Sequence, residues 1–430
     1  MLVGEIMNYN EKEYMPRLSD EILEKYLKVF GAVSVEGPKW CGKTWTASKF
    51  AKSCVFLDEE DTYERASLNL EMVLNEEKPE LIDEWTKIPK IWDAVRRKCD
   101  SSSDTGNYIL TCSTELNEQR KKEVFHSGAG RIGKLKMYPM SLYESKDSTG
   151  EASIIDMYNG TQKDKNVKTP SLEDVISLII RGGWPSNLNK EKDLSYLIPT
   201  SYIESILDKD INDGKNRDKN KMRMLLKALA RNESTIVSNQ TLMKNIEEYA
   251  TDNELIESRN TVSDYLDVLE RLYVIENQEA YSENYRSPER VGKTTKRHFI
   301  DPSLACAILE LDKEKLLKDL KTLGFMFESL VERDLKIYAN YLGGHLYHFR
   351  DNVSGLEVDS ILEFKGGEYA AIEVKLGNNK IDEATQNLIA FSNNVKKKPK
   401  FMCIITANST YVAKDPKTGI YILPITALKP

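Results

Sequence analysis

The sequence is poor in the residues that staple or metallate small domains. In 430 residues there are four histidines and six cysteines (Cys41, Cys54, Cys99, Cys112, Cys306 and Cys403), with no CxxC pair among them. Neither a disulfide framework nor a structural zinc site is suggested by that usage. No apolar run approaches the roughly 20 residues that a spanning helix needs, and the first residues lack the basic region and apolar core of a signal peptide. The expectation is a cytoplasmic protein that does not enter a membrane. An excess of positive charge is also missing. With 61 Lys and Arg against 68 Asp and Glu the net charge is −7, which argues against a protein that coats nucleic acid over its whole surface but leaves room for a local basic groove. What is abundant is core-forming material: 40% of the residues are hydrophobic, enough for two or three domains with real cores.

Against that background, residues 37–44 read Gly37-Pro38-Lys39-Trp40-Cys41-Gly42-Lys43-Thr44 and fill the template G-x-x-x-x-G-K-[ST] at each fixed position. The template has meaning only between a strand and a helix. Ala32 to Val35 supply the strand, and Thr44 to Lys52 contain no helix breaker. Before them, Ser19 offers an N-cap to a helix with Ile22, Leu23, Tyr26, Leu27 and Phe30 on one face. In such a loop Gly37 and Gly42 let the backbone N–H groups converge on phosphate oxygens, Lys43 neutralises the β/γ charge and Thr44 ligates Mg²⁺. ATP with Mg²⁺ is the expected ligand.

Hydrolysis needs carboxylates as well. Leu81-Ile82-Asp83-Glu84 puts an acidic pair at the end of an apolar strand, where ligands of open α/β sheets sit. Asp83 suits the metal through its water and Glu84 the polarisation of the attacking water. A further strand, Tyr108 to Thr111, ends in Cys112-Ser113-Thr114, one of whose hydroxyls is a candidate γ-phosphate sensor, although a strand-ending Ser or Thr is commonly a turn former.

Two stretches are locally basic. Lys215, Arg217, Lys219, Lys221, Arg223, Lys227 and Arg231 fall within one, and Arg286, Arg290, Lys293, Lys296 and Arg297 within the other. Between them lies a helix with a capping-box-like start at Thr261-Val262-Ser263-Asp264 and an apolar face of Val262, Tyr265, Leu266, Leu269 and Leu272. It runs into Leu272-Tyr273-Val274-Ile275, which reads as the beginning of a wing strand in a winged helix-turn-helix. A DNA-reading helix would expose Ser258, Arg259, Asn260 and Ser263 at its start. Protein contacts are an equal alternative for such a module.

The last third holds a second constellation. A helix with Phe325, Phe327, Glu328, Leu330, Val331 and Leu335 precedes three short strands, His345 to Phe349, Leu356 to Leu362 and Tyr369 to Leu376. Asp359 sits on the second strand, and Glu373 and Lys375 share one face of the third, with Val374 opposite. Carboxylates from adjacent elements make an oxygen site for Mg²⁺ or Mn²⁺, with Glu328 as the third ligand and Lys375 facing the scissile phosphate. A helix Glu383 to Phe391 and a strand Phe401 to Ile405 follow. This order is similar to the PD-(D/E)xK nuclease core, a short and degenerate motif.

Along most of its length the chain resembles a prokaryotic family of AAA-type ATPases that carry an uncharacterised nuclease-like C-terminal domain. The resemblance rests on residues 37–44, Leu81-Ile82-Asp83-Glu84-Trp85, Gly130-Arg131-Ile132, residues 138–144, Gly182-Gly183-Trp184-Pro185, Asp301-Pro302-Ser303-Leu304-Ala305, Phe327-Glu328-Ser329-Leu330-Val331 and Gly355-Leu356-Glu357-Val358-Asp359, leading to Ile372-Glu373-Val374-Lys375. It implies ATP binding at Lys43, Thr44, Asp83 and Glu84, with Arg131 as an arginine-type contact. Thr86 stands where many relatives carry Gln, which puts the geometry around Glu84 in question. The expected fold is α/β: a P-loop AAA-type parallel-sheet domain over 1–150, a helical and winged-helix region over 151–285, and a restriction-endonuclease-like domain over 286–430. The expected function is ATP-dependent action on nucleic acid, in defence against or maintenance of mobile DNA. The competing class is a nucleotide-switched module that binds a protein partner without cutting, and an oligomer is compatible with either.

Overall fold

In the computed structural model, residues 14–212, 214–248, 251, 255–256, 258–283, 296–351 and 354–430 are described. Contacts group the chain into two compact units. The residues up to Pro139 with Leu269–Val274 form the first, and Met140–Val268 with Ile275–Pro430 form the second. Among the described residues no helix is long and apolar enough to cross a membrane.

The first unit is built on five parallel strands: β1 (Ala32–Glu36), β2 (Ser53–Phe56), β3 (Glu80–Asp83), β4 (Tyr108–Cys112) and β5 (Ile132–Lys136), in the order β2-β3-β4-β1-β5. Parallel strands joined by helical crossovers are covered on both faces, so their side chains are apolar in both directions. Val33, Val35, Leu81, Ile109 and Leu135 point into one core with Leu23 and Ala47 from the helices Leu18–Leu27 and Lys43–Phe50. Ala32, Val55, Ile82, Leu110 and Ile132 point into the other with Ile91, Trp92 and Val95 from Lys90–Ser101. The first helix is capped by Arg17 rather than Ser19. The Asp20 carboxylate accepts from the Arg17 backbone N–H at 3.3 Å, the half of a capping box that an arginine N-cap allows, which leaves Ser19 inside the first turn.

In the second unit, β6 (Ala152–Ser153) pairs with the last strand, and β7 (Lys165–Asn166) joins the edge of the main sheet. The helices Lys219–Arg231, Asn239–Glu247 and Arg259–Arg271 precede an antiparallel pair, β8 (Ile275–Gln278) and β9 (Lys296–Phe299). The 22-residue helix Leu320–Tyr341 leads into β10 (His345–Arg350), β11 (Glu357–Glu363) and β12 (Tyr369–Lys375), an antiparallel meander. The helix Ile381–Asn394 then returns the chain so that β13 (Phe401–Thr406) lies parallel to β12. Then come β14 (Tyr411–Lys414), β15 (Tyr421–Pro424) and β16 (Leu428–Lys429), and the main sheet reads β10-β11-β12-β13-β15-β14-β7. Ala384, Leu388 and Phe391 of the returning helix pack on Ile361, Tyr369, Ala371 and Ile404. The larger of these, Leu388, Phe391, Ile361 and Ile404, each contribute on the order of 1.5–3 kcal/mol relative to exposure.

A buried polar knot ties this unit together and accounts for several of the phrases noted in the sequence. Asp301 accepts from Gly183 N–H at 2.9 Å and from Arg333 at 2.9 Å, while Asp334 accepts from Arg333 at 2.7 Å and Leu142 N–H at 2.9 Å. Trp184 Nε1 donates to Ser303 at 3.0 Å. Gly183 is required by close approach, since a Cβ there would lie 2.1 Å from the Met140 carbonyl oxygen. These residues organise the core of this unit.

Candidate nucleotide site and carboxylate cluster

The loop 37–44 joins the C-terminal end of β1 to the helix Lys43–Phe50. A Cβ on Gly37 would meet the Met137 carbonyl oxygen at 2.1 Å, and Gly42 opens the helix at φ +100°. Both positions therefore exclude other residues on steric grounds. Lys43 is buried and its ammonium donates to the Pro38 carbonyl at 2.8 Å, curled over the loop it belongs to. Arg17, which nothing in the sequence singles out, proves to be a brace. Its guanidinium donates to the carbonyls of Cys41 at 2.7 Å and Tyr138 at 2.8 Å.

The acidic pair at the end of β3 is held by hydroxyls. Asp83 Oδ1 accepts from Thr44 Oγ1 at 2.9 Å and from Thr111 Oγ1 at 2.5 Å. Burial pushes its carboxyl up, the Thr111 bond pulls it back, and the Glu84 charge raises it further. Glu84 adopts a left-handed backbone at φ +56° and turns its carboxylate to Ser113, whose Oγ donates to Oε1 at 2.7 Å. Thr111 also accepts from the Glu84 N–H at 3.2 Å. The hydroxyls at the end of β4 thus hold the two carboxylates. Thr111, inside the strand and outside the sequence-based candidates, has the shortest of these bonds. Period-two alternation is the signal that links it to Ser113.

Arg131 lies elsewhere. It immediately precedes β5, and β5 pairs with β1 in parallel register from Ala32↔Ile132 to Glu36↔Lys136. The residue before Ile132 is therefore at the N-terminal end of the strands, while the loop leaves their C-terminal end. Its guanidinium bonds Asp100 at 2.7 Å on that far edge. Five residues of strand, about 16 Å, separate it from the loop.

The second constellation gathers side chains from five elements. Lys375 Nζ lies 2.6 Å from Glu373 Oε2 and 3.5 Å from Asp359 Oδ2, as the shared face of β12 requires. Asp359 also accepts from the Val374 N–H at 2.7 Å, and Glu373 from Asn387 at 2.7 Å. Glu328 is bonded by the ammonium of Lys296, from β9, whose side chain is 2% exposed. Burial pushes Glu328 and Glu373 up; the ammonium of Lys296 opposes the rise at Glu328, and that of Lys375 opposes it at Glu373. The same carboxylates hold both lysines protonated, well above their ordinary value. Among the described residues no three His, Cys, Asp or Glu side chains come together closely enough to hold a metal ion. Glu328, Asp359 and Glu373 are thus neighbours of two ammonium groups rather than a ready shell, and as arranged they do not fit a Mg²⁺ or Mn²⁺ ion.

Many cations of the basic stretches are paired with acids of the same chain, several of them at the surface. Lys215 and Arg217 bond Asp264, Lys219 bonds Asp208, and Arg223 bonds Glu204. Lys296 is buried, and Arg297 donates to Val237 O at 2.9 Å and Asn239 at 3.1 Å. Arg286, Arg290 and Lys293 lie outside the described residues.

Comparison with known proteins adds to this geometry. Residues 30–146 match the model of an AAA domain, residues 172–315 a domain of unknown function (DUF8612), and residues 323–428 a domain of unknown function (DUF4143). No curated protein is matched. Among solved structures, the Walker-type ATPase Paby2304 of Pyrococcus abyssi has 12% identity and a TM-score of 0.42, covering 72% of this chain and 100% of that one. The Orc1 protein of Aeropyrum pernix in complex with DNA has 13% identity and a TM-score of 0.31, covering 70% and 94%. Neither likeness is close enough to carry anything over to this chain. The loop, the parallel sheet and the matched model together make residues 30–146 an AAA-type P-loop domain.

Proposed function

We propose that the chain is an ATP-hydrolysing switch whose second unit binds a partner, with Gly37, Gly42, Lys43 and Thr44 taking the phosphates. The observation that carries this reading is the run of bonds from Thr44 through Asp83 to Thr111, beside the Ser113–Glu84 pair. The donor set fits a magnesium-bound triphosphate, with Thr44 and Asp83 as the residues that would hold the ion; when bound, the ion offsets charge on the phosphate oxygens. Lys43 exchanges the Pro38 carbonyl for the phosphates. Glu84, kept in orientation by Ser113, takes a proton from water as the water oxygen bonds the γ-phosphorus and the bridging oxygen leaves with ADP.

The long helix, antiparallel meander, returning helix and parallel strand support reading residues 320–406 as a nuclease-like frame. The three helices followed by β8 and β9 support a winged-helix reading of the region before it. With its carboxylates bonded to lysines, the frame serves binding rather than cleavage. A second reading, contact with nucleic acid, is favoured by the exposed start of the helix Arg259–Arg271, where Ser258, Arg259, Asn260 and Ser263 face solvent. Calorimetry with ATP and ADP in Mg²⁺ tests the first reading. Lys43→Ala should weaken ATP binding and abolish turnover, whereas Glu84→Gln should retain binding and lose hydrolysis. Absence of binding to either nucleotide would overturn it.

A further inference from the structure

Lys375 belongs to the strand that carries Glu373, but Lys296 enters the cluster from β9, in a different matched region of the chain. Its ammonium is buried against Glu328, and the nearby carboxyls of Glu332 and Asp359 also favour its charged form. Glu332 itself is buried and accepts from Ser360 at 3.3 Å. A divalent ion needs several oxygens at about 2.0–2.6 Å. An ammonium bonded to one of those oxygens occupies that position and supplies the positive charge that the ion would bring.

We propose that Lys296 is a built-in counter-cation that closes this carboxylate cluster to divalent metal, and that removing its ammonium opens a Mn²⁺ or Mg²⁺ site at Glu328, Asp359 and Glu373. The choice of ligands rests on the nuclease-like reading of the frame. In that state the ammonium groups of Lys296 and Lys375 offset repulsion among the carboxylates without a bound ion.

The test is Mn²⁺ uptake by the nucleotide-free full chain, followed by electron paramagnetic resonance of the free ion. An Asp83→Asn background removes any contribution from the phosphate loop. The parent protein should take up none, Lys296→Met about one ion per chain, and Lys296→Met/Glu328→Gln should bind at least tenfold more weakly than the single variant. Parent uptake that disappears on Asp359→Asn would overturn the proposal, as would a folded Lys296→Met that binds nothing. If Lys296→Met folds only with Mn²⁺, the proposal stands; if it stays unfolded with Mn²⁺ while the double variant folds, the proposal fails. Should neither variant fold, the parent decides, absence of uptake supporting the proposal and uptake overturning it. Uptake by Lys296→Met that survives Asp359→Asn would place the ion elsewhere and sink the nuclease-like reading. Uptake through Asp359 without DNA cleavage would leave both standing, as a closed and inactive frame.

Discussion

At the scale of single residues, hydroxyls decide how the phosphate loop and its carboxylates are poised. Thr44, Thr111 and Ser113 contribute one short side chain each, from one helix and from the end of β4, yet between them they fix both members of the acidic pair. The loop itself is legible in the sequence because a phosphate cradle is made by consecutive residues, and glycines at fixed spacing are a steric necessity. Thr111 is not legible in that way: nothing local distinguishes a strand threonine that bonds the next strand's aspartate from one that merely fills a sheet. Ser113 offers the sharper measurement. A hydrogen bond to a charged group contributes about 1.5–3 kcal/mol, so Ser113→Ala should lower kcat by roughly 10–100-fold. ATP affinity should change little, since Ser113 touches Glu84 rather than the loop. Equal loss of affinity and turnover would mean that Ser113 supports the binding conformation instead.

Elements set which residues can meet, and here sequence position alone misleads. Arg131 follows Gly130 in a phrase of the kind that brings arginines to nucleotides, but parallel pairing of β5 with β1 puts it at the wrong end of the strands. Lys296 sits in a basic run and reads as solvated charge until β9 buries it against a helix 32 residues away. The order of helices and strands in the last third is legible because period-two and 3.6-residue patterns are local; which charges share an interior is not, because those pairings span the fold. The same interior gives a pH dependence. Glu233, buried between β9 and the long helix, accepts from Phe299 N–H at 3.1 Å and Ser329 at 2.7 Å, and burial raises it from 4.5 to about 7. A carboxyl raised in the folded state binds its proton more tightly there than in the unfolded chain. Its contribution is therefore present in full below about pH 4.5 and is lost as pH rises to about 7, roughly 3 kcal/mol in all. Glu332 acts in the same direction, while His298, held well below its ordinary value by burial, acts oppositely. Glu233→Gln removes the Glu233 contribution and leaves that of Glu332, while His298, whose Nδ1 lies 3.3 Å from Glu233 Oε1, loses a carboxylate neighbour. Urea unfolding between pH 5 and 7.5 should show the variant gaining stability relative to wild type as pH rises. A constant difference across that range would mean that Glu233 is ionised throughout.

For the whole molecule, the balance of charge bears on the class of partner. A net charge of −7 is compatible with a basic groove only if the basic residues are free to meet phosphates, and the stretch from Lys215 to Arg231 shows how few are. Four of its seven cations, Lys215, Arg217, Lys219 and Arg223, are bonded to Asp264, Asp208 and Glu204. Arg231 is engaged as well, so at most two, Lys221 and Lys227, remain for a duplex. Each neutralised phosphate contributes about 0.9 to the slope of log affinity against log salt. Seven contacts would weaken duplex binding about 6,000-fold between roughly 50 and 200 mM salt, and two only about 12-fold. If DNA binds along this stretch, the shallower dependence is expected. Lys221→Ala with Lys227→Ala should flatten it further, and Lys215→Ala should leave it unchanged, because Lys215 is engaged with Asp264. A change of thousands-fold, together with sensitivity to Lys215→Ala, would show that nucleic acid strips these lysines from their carboxylates, and would move the balance from a protein partner to a nucleic acid one.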